Sequence, residues 1–208
     1  YSSEFPWMAD GANGEVAMYY TFKKADEGWK ALSVYRFKRF EQEVYYREAW
    51  LRNDTDIEFQ LADILLPDGV LRVDKAMSVN PVEAHLGHYA LPHLTNTIKE
   101  KTIKKHGYTA YVIENEKHQL AMVPLYGWKE VGFEHTSGLH PESDECTVLN
   151  AKEIFTGEKI FVTLLLWNKA GMKVDNKRLF PVKDVLVSHD KKSVTVLLND
   201  GTRKEVVW

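Results

Sequence analysis

The sequence predicts an all-β protein, folded as a large, supersandwich-like antiparallel β-sandwich of about a dozen strands with little helix. Turn signals recur about every ten to twenty residues, which is too often for long helices. The segments between them are rich in β-branched and aromatic residues, which pack well on a pleated surface. The chain has 208 residues, 44% of them hydrophobic, which is enough for two sheets that cover each other's apolar faces.

The turn signals contain glycine, which readily adopts the positive φ that tight hairpin turns require. They lie at Asp10-Gly11, Asn13-Gly14, Asp68-Gly69, His106-Gly107 and Asn199-Asp200-Gly201. The strands predicted between them are Glu15–Phe22, Leu32–Phe37, Ile57–Leu61, Leu71–Val73, Thr109–Ile113, Leu120–Leu125, Ile160–Trp167 and Ser193–Leu198. We find no internal repeat and no linker, so we expect one domain over residues 1–208.

The end of the sequence gives the clearest hairpin pattern. Three short apolar runs, Val185–Val187, Val194–Leu198 and Lys204–Val207, are separated by His189–Ser193 and by Asn199–Gly201. Both separators are typical of hairpin turns. The pattern predicts a three-stranded meander.

Residues 36–52 admit two interpretations. Phe37, Phe40, Val44 and Leu51 fall near helical spacing among good helix formers, which allows a helix. The alternative is two strands separated by the charged segment 39–43, and the Tyr, Trp and Val residues after that segment favour it.

Composition excludes several classes of function. The formal net charge is −3 and no block of Lys or Arg is present, so the chain lacks the cationic patch that nucleic acid requires. The longest apolar run, Ile160–Trp167, is too short for a membrane helix, and Cys146 has no partner for a disulfide within the chain. Nucleotide-binding and hydrolase motifs are missing, so we expect no cofactor, no nucleic-acid partner and no membrane partner.

A first group of histidines comprises His85, His88 and His93. Because side chains alternate along a strand, only His85 and His93 would share a face, unless Gly87 or Pro92 interrupts the strand. The spacing matches no standard zinc motif, so we expect no metal site.

The stretch 134–146 combines imidazoles with carboxylates, which are the groups that general acid–base catalysis uses. Its Ser, Gly and Pro residues predict a loop, where functional groups are often carried. Glu134, His135 and His140 are therefore the candidate catalytic residues. The alternative is a solvated, charged crossover between the sheets.

Aromatic residues beside turns form a second candidate site. Flat apolar rings with polar rims suit the faces of sugar rings, although aromatic residues also fill sandwich cores. Trp7 lies next to the turn signals at 10–14, and Trp128 follows Tyr126 and a glycine. We take Tyr1, Trp7, Tyr126 and Trp128 as the candidate substrate-binding residues.

Several stretches resemble the C-terminal half of heparinase-like polysaccharide lyases and of an uncharacterised bacterial family near them, in which an α/α toroid precedes a β-sandwich. They are YSSEFPWMADG at residues 1–11, GWKALSVYRF at 28–37, REAWLRNDTDIEFQLADILLPDGVLRV at 47–73, HLGHYALP at 85–92 and VLLNDGTRKEVVW at 196–208. The resemblance implies that this chain is the C-terminal part of a larger bacterial protein whose helical toroid precedes Tyr1. In such lyases the cleft lies between toroid and sandwich and uses a Tyr or His base, but no residue here matches a motif for that base.

These observations lead to two hypotheses of function. In the first, the domain belongs to a carbohydrate-processing protein and forms one wall of a cleft for an oligo- or polysaccharide beside the toroid. This hypothesis expects Trp7, Trp128 and the 134–145 stretch to share one concave surface. In the second, the domain is a non-catalytic carbohydrate-binding or protein-interaction module, and those residues are scattered.

Overall fold

The computed structural model describes the backbone of residues 15–24, 28–38, 44–49, 57–66, 69–140, 143–171 and 176–208. Side chains are described for parts of 60–66 and for 69–79, 91–136, 145–166, 170–171 and 177–208. The chain in these ranges is almost entirely β-structure, in thirteen strands and one short helix. The elements are β1 Glu15–Lys24, β2 Gly28–Lys38, β3 Val44–Ala49, β4 Ile57–Leu66, β5 Gly69–Pro92, β6 Lys99–Lys105, β7 Tyr108–Glu114, β8 His118–Tyr126, β9 Glu130–His140, β10 Ser143–Lys169, α1 Asn176–Leu179, β11 Val182–Val187, β12 Ser193–Leu198 and β13 Arg203–Val207.

The strands form two antiparallel sheets. In the large sheet the order is β3-β2-β1-β5-β10-β8-β7-β6, with β4 paired to β5 and β9 paired to β10. The small sheet has the order β11-β12-β13, which is the predicted three-stranded meander. The all-β prediction is therefore confirmed. No helix in the described part of the chain is long and apolar enough to cross a membrane.

Two long strands organise the large sheet. β5 has 24 residues and β10 has 27, and they pair from Gly69 opposite Leu166 to Pro92 opposite Cys146. On its other edge, β10 pairs first with β9 and later with β8. β8 and β9 are thus successive neighbours of the same strand, and the short connection 127–129 lies between them.

β10 bends where β8 gives way to β9. Gly157 has a φ of 76°, and the register with β5 shifts between Phe155 and Gly157. The ring centroids of Phe155 and Phe161 are 5.9 Å apart, whereas six positions along a straight strand span about 20 Å. The bend brings the two halves of β10 together around one buried cluster that includes both phenylalanines.

The small sheet packs on one face of the large sheet. Val194 and Val196 of β12 belong to the same buried cluster as Val73 of β5 and Leu164 of β10, and each is at most 1% exposed. Burial of aliphatic side chains on both sides of the contact removes apolar surface from water, which is the main stabilisation of such a sandwich.

The two-strand interpretation of residues 36–52 is confirmed over the residues that the structure describes. β2 and β3 pair from Ser33 opposite Ala49 to Lys38 opposite Val44. The charged segment 39–43 and residues 50–52 lie outside the described residues. Pairing with a neighbouring strand outweighed the helical propensity of this segment.

The prediction of a loop over 134–146 is wrong. β9 runs to His140 and β10 begins at Ser143, so most of this stretch is a hairpin that pairs from Glu145 opposite Ser137 to Lys152 opposite Glu130. Its Ser, Gly and Pro residues are typical of a loop. The backbone N–H and C=O groups of the two neighbouring strands nevertheless hydrogen-bond to each other through most of the stretch.

Candidate functional site

A groove lies where the connection between β8 and β9, the bend of β10 and the turn between β11 and β12 meet. Its volume is about 430 Å³. We call it the aromatic groove because Tyr126 and Trp128, two of the predicted substrate-binding residues, are part of its lining. The lining residues are Tyr126, Gly127, Trp128, Lys129, Glu153, Glu158, Lys159, Ile160, Val187 and Lys191.

Gly127 allows the connection to lie directly against β10. Its φ is 91°, in the left-handed region that favours glycine. A Cβ at this position would come within 2.1 Å of the carbonyl oxygen of Ile160. The close approach therefore depends on glycine, and it sets Tyr126 and Trp128 on either side of the contact.

Trp128 is held in place on its inner side. Its ring stacks on that of Phe161 with the centroids 4.1 Å apart and the planes 24° apart. Its Nε1–H donates a hydrogen bond of 2.9 Å to the hydroxyl oxygen of Thr163. The indole is consequently both part of the core and part of the groove wall. Tyr126 is freer, with 43% of its surface exposed.

Three lysines and two glutamates line the aromatic groove. Lys159 forms an ion pair of 3.2 Å with Glu153, and Glu158 forms one of 3.2 Å with Lys75 just outside the lining. The Lys191 Nζ donates instead to the backbone carbonyl of Glu158, at 2.7 Å, so no carboxylate neutralises it in this contact. The balance of charge at the groove is positive.

A compact turn positions Lys191. The Ser188 hydroxyl accepts hydrogen bonds from the backbone N–H groups of Lys192 and Ser193 and donates one of 2.7 Å to the Asp190 carboxylate. Lys191 itself has a φ of 55°, which few side-chain-bearing residues adopt. The pKa of Asp190 lies below its ordinary value of 3.8, because its carboxylate accepts hydrogen bonds from the Ser188 hydroxyl and from the Lys192 N–H.

The structure brings together one histidine from each histidine-bearing stretch. His135 contacts the carboxylate of Glu100, and His93 lies 3.2 Å from a carboxylate oxygen of Glu145. The other ring nitrogen of His93 is 2.8 Å from the Thr147 hydroxyl. The two imidazole rings are 6.4 Å apart, edge to face. Two histidines, each beside a carboxylate, thus lie near β6, β9 and β10; the His135 side chain is 65% exposed and that of His93 is 14% exposed.

The three candidate catalytic residues are not all close together. Glu134 and His135 are successive residues of β9, so their side chains point to opposite faces. Glu134 is exposed and forms an ion pair of 3.0 Å with Lys152, beside a depression of about 170 Å³ that is separate from the aromatic groove. His140 is the last residue of β9, opposite Ser143, and its side chain lies outside the described residues.

Among the residues that the structure describes, no three His, Cys, Asp or Glu side chains are grouped as metal ligands would be. His85 and His88 lie in β5, and their side chains are outside the described part of the chain. The register of β5 with β10 shifts between Leu86 and Tyr89, so the regular alternation that we assumed for His85 and His93 is interrupted there.

Tyr1 and Trp7 lie outside the described residues, so their role as substrate-binding residues stays a prediction. The groove also contains residues that sequence analysis did not select, chiefly Lys159 and Lys191. The only signal for Lys191 was its place in a predicted hairpin turn. Nothing local in the sequence indicates that this turn lies beside Tyr126.

No protein-family model matches the chain, and no curated protein matches it. Among solved structures, the chain is similar to a protein assigned as a kojibiose phosphorylase from human microbiome, with 14% identity and a TM-score of 0.41 over 76% of this chain and 23% of the other. It is also similar to a mutant of the heparan sulfate lyase HepC from Pedobacter heparinus, with 10% identity and a TM-score of 0.42 over 91% of this chain and 28% of the other. The chain thus spans about a quarter of the length of these two structures. Both similarities are too distant to establish a family or a function, and membership of the heparinase-like family stays a prediction.

Proposed function

We propose that this chain is a carbohydrate-binding β-sandwich domain and that it holds an acidic oligosaccharide in the aromatic groove. The observation that carries the proposal is that Tyr126 and Trp128 line one concavity together with three lysines. Aromatic rings beside cations suit a sugar chain that has apolar ring faces and anionic substituents.

The shape and rigidity of the groove support this ligand class. Its volume of about 430 Å³ lies within the range of small-molecule sites. Trp128 is fixed by Phe161 and Thr163 before any ligand arrives. A wall that is already ordered loses little conformational entropy on binding, so more of the contact energy is available as affinity.

The charge of the groove supports an acidic ligand. Glu153 and Glu158 each have an ion-pair partner, Lys159 and Lys75 respectively. Lys191 and the exposed Lys129 have no carboxylate partner among the described side chains. A carboxylate or sulfate group on the ligand would complete the hydrogen bonding of these ammonium groups.

The proposal extends to a larger carbohydrate-processing protein in which this domain forms one wall of a glycan cleft beside a helical toroid that precedes Tyr1. In such a protein His135, next to Glu100, is the described histidine best suited to proton transfer, because its side chain is 65% exposed and lies beside a carboxylate. The alternative is a module that binds carbohydrate without catalysis. The separate locations of Glu134 and Trp128 favour this alternative, since they line different depressions.

The test of binding is calorimetric titration with a uronate-containing oligosaccharide and with its carboxyl-reduced, neutral counterpart. We expect the wild-type chain to bind the acidic form more tightly. Tyr126→Ala should weaken binding by about 1 to 2 kcal/mol, or about 5- to 30-fold, with only a small change in melting temperature, because 43% of the surface of Tyr126 is exposed.

Leu186→Ala is the matched control. Leu186 is 50% exposed, close to the value for Tyr126, but it lies outside the groove lining. Its replacement should leave the affinity unchanged. Equal affinity of wild type and Tyr126→Ala for the acidic oligosaccharide, or no binding by either, would refute the proposed site.

A further inference from the structure

A second groove lies on the other side of the turn between β11 and β12. Its volume is about 420 Å³, similar to that of the aromatic groove. We call it the distal groove. Its lining residues are Gln60, Lys75, Ala76, Met77, Glu158, Lys192 and Trp208. It resembles the aromatic groove in combining an aromatic ring, that of Trp208, with lysines, here Lys75 and Lys192.

The two grooves are adjacent because Glu158 lines both of them. The Lys75 Nζ lies 3.2 Å from the Glu158 carboxylate and donates to the backbone carbonyl of Lys191 at 3.0 Å. The Lys191 Nζ in turn donates to the backbone carbonyl of Glu158. Lys75, Glu158 and Lys191 thus form a hydrogen-bonded saddle between the grooves.

Two successive lysines contribute to opposite sides of this saddle. Lys191 lines the aromatic groove and Lys192 lines the distal groove. The hydrogen bonds of Ser188 and Asp190 hold the turn that carries both lysines. Because the turn is fixed, the backbone positions of both lysines are restrained before binding, and the Lys191 ammonium is held further by its hydrogen bond to the Glu158 carbonyl.

Trp208 is positioned beside Lys192. Its backbone N–H donates a hydrogen bond of 2.9 Å to the carbonyl of Lys192, and its ring packs partly against the core beneath the small sheet. Among the described residues its Nε1–H is buried without a hydrogen-bond partner. The indole therefore offers the distal groove its ring surface rather than a hydrogen bond.

We propose that the aromatic and distal grooves are two subsites for one anionic oligosaccharide that crosses the saddle. This inference rests on the proposed function of the aromatic groove and extends it, because it specifies a chain of several sugar units as the ligand. Trp208 and Lys192 hold the part of the chain beyond the saddle. Lys191, on the saddle, lies beside its anionic substituents, and Lys75 holds the saddle together through Glu158 and the Lys191 carbonyl.

The test is the dependence of affinity on chain length, measured by calorimetry with oligogalacturonates of two, four and six units. The wild-type affinity should rise at least about tenfold from the shortest to the longest chain, since the second subsite adds contacts within one molecule. Lys192→Met, at an exposed position, should remove most of this gain and leave the affinity for the shortest chain unchanged. Trp208→Phe replaces the indole with a smaller ring that covers less of the groove wall, and it should also reduce the gain in affinity with chain length.

The outcomes separate this inference from the proposed function. If Tyr126→Ala weakens binding at every length while Lys192→Met and Trp208→Phe leave the gain intact, the distal groove is not a subsite and the aromatic groove remains one. If Tyr126→Ala has no effect either, both proposals fail. A second series with sulfated oligosaccharides of the same lengths shows whether carboxylates or sulfates are preferred. Equal gains with neutral chains would contradict the role of the lysines.

Discussion

Single residues determine the geometry of the aromatic groove, and Gly127 is the most constrained of them. It combines a positive φ with a space in which a Cβ would lie 2.1 Å from a backbone oxygen. Backbone atoms in the middle of a sheet cannot move aside as a flexible side chain can. The contact between the β8–β9 connection and β10 is therefore intolerant of any side chain at this position.

Gly127→Ala should consequently destabilise the fold by about 2 to 4 kcal/mol, which adds the cost of a strained φ to that of a steric clash. Urea denaturation measures the change. Gly107→Ala is the control, because Gly107 also has a positive φ, of 80°, but a Cβ there would meet nothing within 4 Å. It should lose about 1 kcal/mol. Equal losses of stability in the two variants would contradict the close approach of Gly127 to the Ile160 carbonyl oxygen.

Trp128 contributes to both stability and the proposed binding. Trp128→Ala should cost about 2 to 4 kcal/mol of stability, since it removes the stack on Phe161 and leaves a cavity. Trp128→Phe keeps a ring but removes the hydrogen bond to Thr163, and it should cost about 1 kcal/mol. Thermal melts distinguish the variants. An unchanged melting temperature for Trp128→Ala would mean that the indole is not part of the core.

At the scale of elements, the turn between β11 and β12 makes the stability of the fold depend on pH. In the folded state the Asp190 pKa is depressed by the hydrogen bonds from Ser188 and Lys192. The unfolded value is the ordinary one, so the stabilisation is fully present above about pH 3.8 and is lost as the pH falls through the depressed folded value. Carboxyl-carbon NMR should place the midpoint of Asp190 below 3.8 in the folded protein.

The variant Ser188→Ala tests the cause of this shift. It removes the largest contribution, so the Asp190 midpoint should rise toward its ordinary value. Lys192 and Lys191 should also lose part of their restraint, which would weaken oligosaccharide binding without removing any groove side chain. A midpoint that stays unchanged in Ser188→Ala would assign the shift to another group.

The elements also show what sequence patterns can predict. Two hairpin turns can be predicted from their own residues alone, namely Asn199-Asp200-Gly201 and His106-Gly107. In both turns the glycine has the positive φ that the hairpin requires. The stretch 134–146 has the Ser, Gly, Pro and charged residues of a loop, but it forms a hairpin whose two strands pair with each other. The sequence also does not predict the full length of β10. A glycine such as Gly157 is typical of a turn between strands, but here the strand bends and continues.

At the scale of the whole molecule, the shared core predicts that the two sheets unfold together. Val194 and Val196 of the small sheet pack in one cluster with residues of β5 and β10. Loss of either sheet would expose the apolar face of the other, so calorimetry should show a single transition. Val196→Ala, at a position that is 1% exposed, should lower that transition as a whole. Two separate transitions, or early loss of amide protection in the small sheet alone, would contradict a single cooperative unit.

The proposed site could be anticipated only in part at this scale. Tyr126 and Trp128 were recognisable from their position beside a turn-forming glycine. Lys159 and Lys191 reach the aromatic groove through the bend of β10 and the packing of the small sheet, and the course of β5 brings Lys75 to its edge. Contacts between residues so far apart in the chain follow from the tertiary structure, and local patterns do not contain them.

The central claim is that an acidic oligosaccharide binds in the aromatic groove. The most direct measurement is paramagnetic broadening of backbone amide signals by a spin-labelled uronate oligosaccharide. The account predicts broadening of the signals of Tyr126–Lys129, of Lys159 and of Lys191, with no change at Glu116, which lies in the β7–β8 turn at the opposite end of β8 from Tyr126. Broadening confined to Glu134 and Asn150, around the smaller depression on β9 and β10, with the groove signals unaffected, would contradict it.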